Sequence, residues 1–447
     1  MKKKYLQTLI ALVILVGLWG IFTYYGRKKS APSTPEKSES SQNIFPGKRD
    51  QIVSFTVTTA NGKPVTCELQ GKTWQITEPE KLDTDSSAID GFLSSLTSAT
   101  PDEVVSDQPG DLKEFGLDPP QATIEVKSKS APQDFVLRLG ASTPTSSGIY
   151  AQVEGQPRVF TLASYLKDSL EKTLFDFRNK KIVTLKPDDI QKIDVSSKKG
   201  SYRLVKNPDG IWDVMLPPPV RADHFTVEGL VDELGSASMQ SVVEETKKDL
   251  DKYGFSDPTM TIHLSGAGGT QTLVLGKKEG DNYYAMNSAI SPVFTLGSDF
   301  LNQFQKQPSD LRSKDLFTFS TFEAKQVTVQ GPKGKRVFIQ HKNNKWEQTE
   351  PASMEISSDK IQSLLQDLRD LSAQSFPKKN PTDLAAYGLN KPEYTFQVEY
   401  GDHNQTQTVQ IAQVNGHVYA RRSTDLVPAE ISKDSMTSIE KDLAALK

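Results

Sequence analysis

The feature that most constrains this chain is a threefold internal repeat. Trp74, Trp212 and Trp346 head three copies of one pattern. Fifteen residues past each Trp stands Ile89, Val227 or Ile361. Forty-two residues past each stands Gly116, Gly254 or Gly388, within Phe-Gly-Leu-Asp-Pro, Tyr-Gly-Phe-Ser-Asp-Pro and Tyr-Gly-Leu-Asn-Lys-Pro. Further on come Tyr150-Ala151, Tyr284-Ala285 and Tyr419-Ala420. A period of 134–138 residues is far longer than the roughly 20–50-residue units of solenoids, so each copy can bury a core of its own. The reading is three tandem domains, which suits 447 residues at about 150 per domain. A catalytic site would then be something that one copy has and its sisters lack.

Composition narrows the function classes. The net charge is −3, but the first 29 residues carry six Lys or Arg and no acid, leaving 47 basic against 56 acidic residues beyond them. Nucleic-acid binding is not expected of such a surface, because it needs concentrated positive charge to displace counterions. The single Cys67 excludes an intrachain disulfide and a Cys-rich metal site.

Lys2-Lys3-Lys4 precedes residues 6–25, whose centre from Leu9 to Phe22 holds no ionisable group. Twenty residues at about 1.5 Å rise give about 30 Å, enough for a hydrocarbon core. Small residues suited to signal cleavage are missing near Tyr24-Tyr25-Gly26, so residues 1–29 read as an uncleaved single-pass anchor. The domains are expected on the periplasmic, extracytoplasmic side of the inner membrane. Residues 30–48, rich in Ser, Pro, Lys and Glu, read as a flexible tether. The three domains then span 49–184, 185–318 and 319–447.

Within each copy, alternation of apolar and polar residues predicts half-buried strands. In the first copy these are Ile52–Val57, Val65–Leu69, Trp74–Ile76, Ala122–Val126 and Phe135–Leu139. Between the Trp strand and the motif Gly runs a helical stripe of Ile89, Phe92, Leu93 and Leu96, repeated as Val227, Leu230, Val231 and Leu234, then as Ile361, Leu364, Leu365 and Leu368. That spacing buries one face of a helix, with Asp85, Asp223 and Ser357 among the candidate N-caps. The motif Gly suits a left-handed helix end, and Pro119, Pro258 or Pro392 blocks continuation. A last helix is expected to carry Leu166, Leu170 and Leu174 in the first copy. The fold class is α+β with mostly antiparallel sheets.

The chemistry-bearing residues do not converge in the sequence. His224, His263, His341, His403 and His417 fall into no metal-ligand spacing, and none recurs in all three copies. Gly71-Lys72-Thr73 lacks the leading glycine of a phosphate loop, and Gly266-Ala267-Gly268-Gly269 joins two predicted strands as a hairpin turn would. No catalytic, cofactor-binding or metal-ligating residue is therefore assigned. Arg178 and Arg312 each lie 28 residues past the motif Tyr, at the junction to the next copy. They are candidates for binding a partner, or for bridging neighbouring domains through carboxylates or carbonyls. The shared Trp and Tyr residues could form aromatic platforms, but their strand patterns favour a buried core role.

The ordered recurrence of [Phe/Tyr]-Gly-[Leu/Phe], the Trp strand, and Tyr-Ala followed by Val159-Phe160 or Val293-Phe294 resembles the bacterial DUF4340 family. The third copy departs at Val427-Pro428-Ala429, where the others have Phe-Thr-Leu. That family consists of membrane-anchored proteins of unassigned function, often encoded beside ABC-type exporters related to gliding-motility transporters. The resemblance implies an envelope protein and supplies no catalytic residues. The expected function is a non-enzymatic scaffold or adaptor, partnered by the membrane and by transporter permease or ATPase subunits. The alternative is an extracytoplasmic binder of a glycan, lipid or peptide.

Overall fold

The computed structural model describes residues 43–129, 133–342, 344–377 and 382–446. The expected anchor and most of the expected tether lie outside them, as does Asn343 of the turn before Trp346. No helix among the described residues is long and apolar enough to cross a membrane. The described residues form two compact units, divided between Lys180 and Lys181.

The first unit is one repeat domain. Its strands are β1 (Ile52–Thr59), β2 (Val65–Gln70), β3 (Thr73–Glu78), β4 (Leu82–Asp83), β5 (Glu103–Ser106), β6 (Ala122–Ser128), β7 (Phe135–Ser142), β8 (Gly148–Val153) and β9 (Val159–Ala163). They form one nine-stranded sheet in the order β4-β3-β2-β1-β6-β7-β8-β9-β5. The second unit contains two more nine-stranded sheets of the same order, running through residues 190–297 and 324–431. Neighbouring strands pair antiparallel, as in β1 with β6 and its counterparts.

Helix α1 (Ser86–Ser98) follows β4, and its stripe Ile89, Phe92, Leu93 and Leu96 is buried on the sheet. Asp85 starts it by accepting from the backbone N–H groups of Ser87 and Ala88. Burying each of these side chains contributes about 1.5–3 kcal/mol. Short helices α2 (Tyr165–Leu170) and α3 (Leu174–Phe177) close the domain. The sequence predicted one helix through Leu174. Instead the chain breaks at Glu171 to Thr173, because Thr173 and Asp176 form a capping box that starts a new turn. In the second unit α4 (His224–Ser236) and α6 (Ser358–Arg369) correspond to α1, while α5 (Ser298–Phe304) and α7 (Lys433–Ala445) close their domains.

The tether ends earlier than expected. Phe45 is buried, and its ring meets Phe135 edge-on at 5.2 Å. The Ile44 N–H bonds the Ala99 carbonyl at 2.9 Å. Two apolar residues in a polar stretch suffice to dock its end, so the first domain includes residues from 43 onward.

Candidate functional site

The repeated motif residues come together in every domain, and they do so on each other. Strand alternation places Ile149 and Ala151 in the helix-side core, so Tyr150 points to the opposite face. There it meets Phe115, the residue before the motif Gly, at 5.1 Å between ring centroids. Tyr284 with Tyr253 and Tyr419 with Tyr387 repeat the contact at 4.9 Å. These tyrosines are half-buried on the far face, not part of the main core as the strand pattern suggested. Gly116, Gly254 and Gly388 all adopt positive φ, at 64°, 79° and 71°. A Cβ on Gly116 would lie 2.9 Å from the Ala141 backbone nitrogen, and one on Gly254 equally close to that of Lys277. The motif is a clamp that holds a turn against the sheet, a turn that is 3-10 helix in the first two domains.

Trp212 and Trp346 are buried as expected, whereas Trp74 is half-buried. Trp74 packs on Phe55 at 5.3 Å and lines a shallow surface depression with Arg49 and Leu69. His263, His341 and His417 pair with Thr272, Glu347 and Glu430 beside them on the sheet surfaces. No group of three or more His, Cys, Asp or Glu among the described residues could hold a metal ion. Burial pushes the Cys67 thiol up to about 12, which removes it as a nucleophile at neutral pH.

The junction arginines lie on short backbone straps. In the first unit Arg178 is buried and bridges Thr84 beyond β4. The Asp85 N–H bonds the Phe177 carbonyl and the Asn179 N–H bonds that of Asp83, both at 2.8 Å. In the second unit the strap around Arg312 pairs with both neighbouring domains. Asp223 N–H donates to Leu311 at 2.7 Å and Ser313 N–H to Arg221 at 2.9 Å. Leu316 N–H then donates to Leu371 at 3.0 Å, and Ala373 N–H to Lys314 at 2.8 Å. The edge of one sheet is thus tied through the strap to the edge of the next.

Side chains lock the incoming strap. Gln407 accepts from the Thr318 N–H at 2.9 Å and donates back to its hydroxyl at 2.8 Å. Arg422 donates to the carbonyls of Leu316, at 2.8 Å, and Asp315. The second domain holds its own incoming chain the same way, with Gln271 on Thr184 and Asn287 on the Ile182 carbonyl at 2.7 Å. In the first domain Phe135 and Val153 occupy the corresponding positions, and the latch is apolar, closing on Phe45.

Beside the strap lies a cleft of about 380 Å³ lined by Arg221, Arg312, Arg422, Asp213, Phe376 and Asp425. The Arg312 guanidinium stacks 3.4 Å from the centre of the Phe376 ring and makes a long contact of 3.5 Å to the Val427 carbonyl. Burial lowers the pKa of both Arg312 and Arg422 to about 10. Burial also raises Asp425, although all three guanidinium groups pull it down. Arg312 therefore contacts the neighbouring domain through a ring and a carbonyl. Because the folded state holds the Asp425 proton more tightly than the unfolded chain, this group's contribution to stability falls as pH rises from the ordinary carboxylate pKa through the raised one. Asp425→Asn is expected to gain stability relative to the parent between pH 4 and pH 7, which urea titrations at both pH values will measure.

Sequence reasoning missed the latch, and it missed Phe225 and Phe322, which are 82% and 90% exposed. Both line a groove of about 970 Å³ between the start of α4, the strap and the end of α6. Ser87 and Asp359 stand at the position of Phe225, two past each helix cap. Asp50 and Asp188 stand at that of Phe322. Comparing copies position by position would have exposed both substitutions.

Three antiparallel α+β domains in tandem, each clamped by the same Gly and Tyr motif, define the class: a repeat-domain protein. Three overlapping segments, residues 74–219, 212–392 and 346–441, match a family described as a domain of unknown function, DUF4340. The chain belongs to that family. The first two matched segments begin at a Trp strand and run through the junction into the next domain's opening strands. No curated protein matches. Among solved structures, the DNA polymerase III subunit beta from Pseudomonas aeruginosa is 7% identical over 87% of this chain and 93% of that one, with a TM-score of 0.16. The DNA polymerase sliding clamp from Pseudomonas aeruginosa with ligand is also 7% identical, over 88% and 93%, with a TM-score of 0.14. At such scores neither likeness carries an argument.

Proposed function

We propose that this chain is a non-enzymatic, membrane-anchored envelope scaffold that serves as an accessory of an ABC-type transporter, with its domains on the extracytoplasmic side. The observation that carries this reading is the pair Phe225 and Phe322. Large exposed aromatics that share one groove are a feature of protein-binding surfaces, and here they replace the Ser or Asp of the sister copies. The repeated motifs, by contrast, are consumed in internal packing.

The test is capture from native membranes by crosslinking, with and without Phe225→Ala/Phe322→Ala. Exposed side chains of this kind contribute within about 0.5 kcal/mol to stability, so the double variant is expected to fold normally. Recovery of transporter permease or ATPase subunits should drop at least about tenfold, the loss of one or two interface anchors. Purification of the parent complex as this chain alone would sink the scaffold reading.

A further inference from the structure

The third domain carries a polar pair that its sisters lack. Arg336 faces Val329 across its hairpin, where the first two domains have Val65 facing Val57 and Tyr202 facing Val195. On the next strand Gln348 stands where they have Ile76 and Val214. Arg336 Nε donates to Gln348 Oε1 at 2.9 Å, and its Nη1 and Nη2 donate to the Leu443 and Leu446 carbonyls at the end of α7. These bonds use three of the five N–H donors of a guanidinium.

The surroundings also differ. In the second domain this level is sealed. Tyr202 is buried with its hydroxyl donating to the Phe304 carbonyl at 3.1 Å, and Gln307 lies across the hairpin turn on the Lys199 carbonyl at 2.9 Å. In the third domain a pocket of about 630 Å³ opens at the corresponding place, between the turn Gly331–Gly334 and the last turns of α7. Val329, Met354, Leu443 and Leu446 give it apolar walls, and Lys333 and Arg336 also line it. The Tyr394 hydroxyl occupies Glu440 by donating to it at 3.2 Å. A volume of this size falls within the range of pockets for small organic ligands, about 300–1,000 Å³.

We propose that this pocket binds one acyl chain bearing an anionic head group. The chain lies along the apolar wall beside α7, and the head group meets Lys333 and the donors that Arg336 has left. A mere helix cap would need neither the Gln348 partner nor an open apolar chamber beside it. The inference goes beyond the scaffold reading and stands without it.

The test titrates the full chain with anthroyloxy-labelled palmitate and follows displacement by laurate, myristate, palmitate and hexadecanol. Saturable one-to-one binding is expected, weakening about tenfold for each two methylenes removed. Ala444→Trp, on the exposed last turn of α7 at the pocket wall, should weaken it at least tenfold with an unchanged urea midpoint. Lys333→Glu should weaken palmitate about tenfold and leave hexadecanol unchanged. Displacement of the bound probe by phosphatidylglycerol would identify a bilayer lipid as the source. Displacement by palmitate and not by phosphatidylglycerol would identify a free fatty acid. Absence of saturable probe binding, or binding undiminished in Ala444→Trp, overturns the proposal.

Discussion

Gly116→Ala will destabilise the first unit by about 2–5 kcal/mol, while Gly71→Ala will destabilise it by only about 1–2 kcal/mol. The two glycines have nearly the same backbone, with φ of 64° and 67°. Placing an L side chain in that left-handed region costs about 1–2 kcal/mol at either position. They differ in what surrounds them. A Cβ at Gly71 meets nothing within 4 Å, whereas one at Gly116 meets the Ala141 nitrogen at 2.9 Å and its Cβ at 3.0 Å. Crowding backbone and Cβ together adds about 1–3 kcal/mol. Urea unfolding of the two variants isolates the close approach, and equal losses would refute the clamp as the reason for glycine in the motif.

Arg422→Met will loosen the second unit by about 3 kcal/mol or more, the usual result of removing one member of a buried charged network. Arg422 is 5% exposed, and its guanidinium holds two carbonyls of the incoming strap. Without it those acceptors lose their donors, and half-buried Asp425 loses its strongest opposing charge. The expected signs are a lowered urea midpoint and early proteolytic cleavage within residues 312–320. The double variant Arg422→Met/Asp425→Asn should recover part of the loss, since the orphaned carboxylate is then neutral. A midpoint unchanged in Arg422→Met would show that the backbone bonds alone hold the strap.

The helices, the hairpins and the left-handed glycines were legible because each rests on local chemistry. Ile89, Phe92, Leu93 and Leu96 sit on one helical face, and all four are buried. Gly266 to Gly269 turns a hairpin between paired strands, as its flanking alternation indicated. Tyr150 was misplaced by a partial use of the same rule. With Ile149 and Ala151 both in the core, alternation puts the tyrosine between them on the far face. The latch was hidden for a different reason. Gln271 and Gln407 share a position and a role, but Phe135 stands there in the first copy, and Val153, Asn287 and Arg422 share a position with no letter in common. A search for letters repeated in all three copies passes over it. Ile44 and Phe45 were lost among their polar neighbours, since averaged composition conceals two anchoring side chains. The Phe225 and Phe322 groove depends on residues about a hundred positions apart, which only the fold brings together.

The strap around Arg312 covers the edge of one sheet and, a few residues later, the edge of the next. Its detachment would bare two rows of unpaired backbone donors and acceptors at once, and such rows are templates for strand addition by other chains. Aggregation on partial unfolding should therefore begin at this seam, and its rate should rise with protein concentration before either flanking domain has melted. The short connection between two domains is also what keeps both from polymerising.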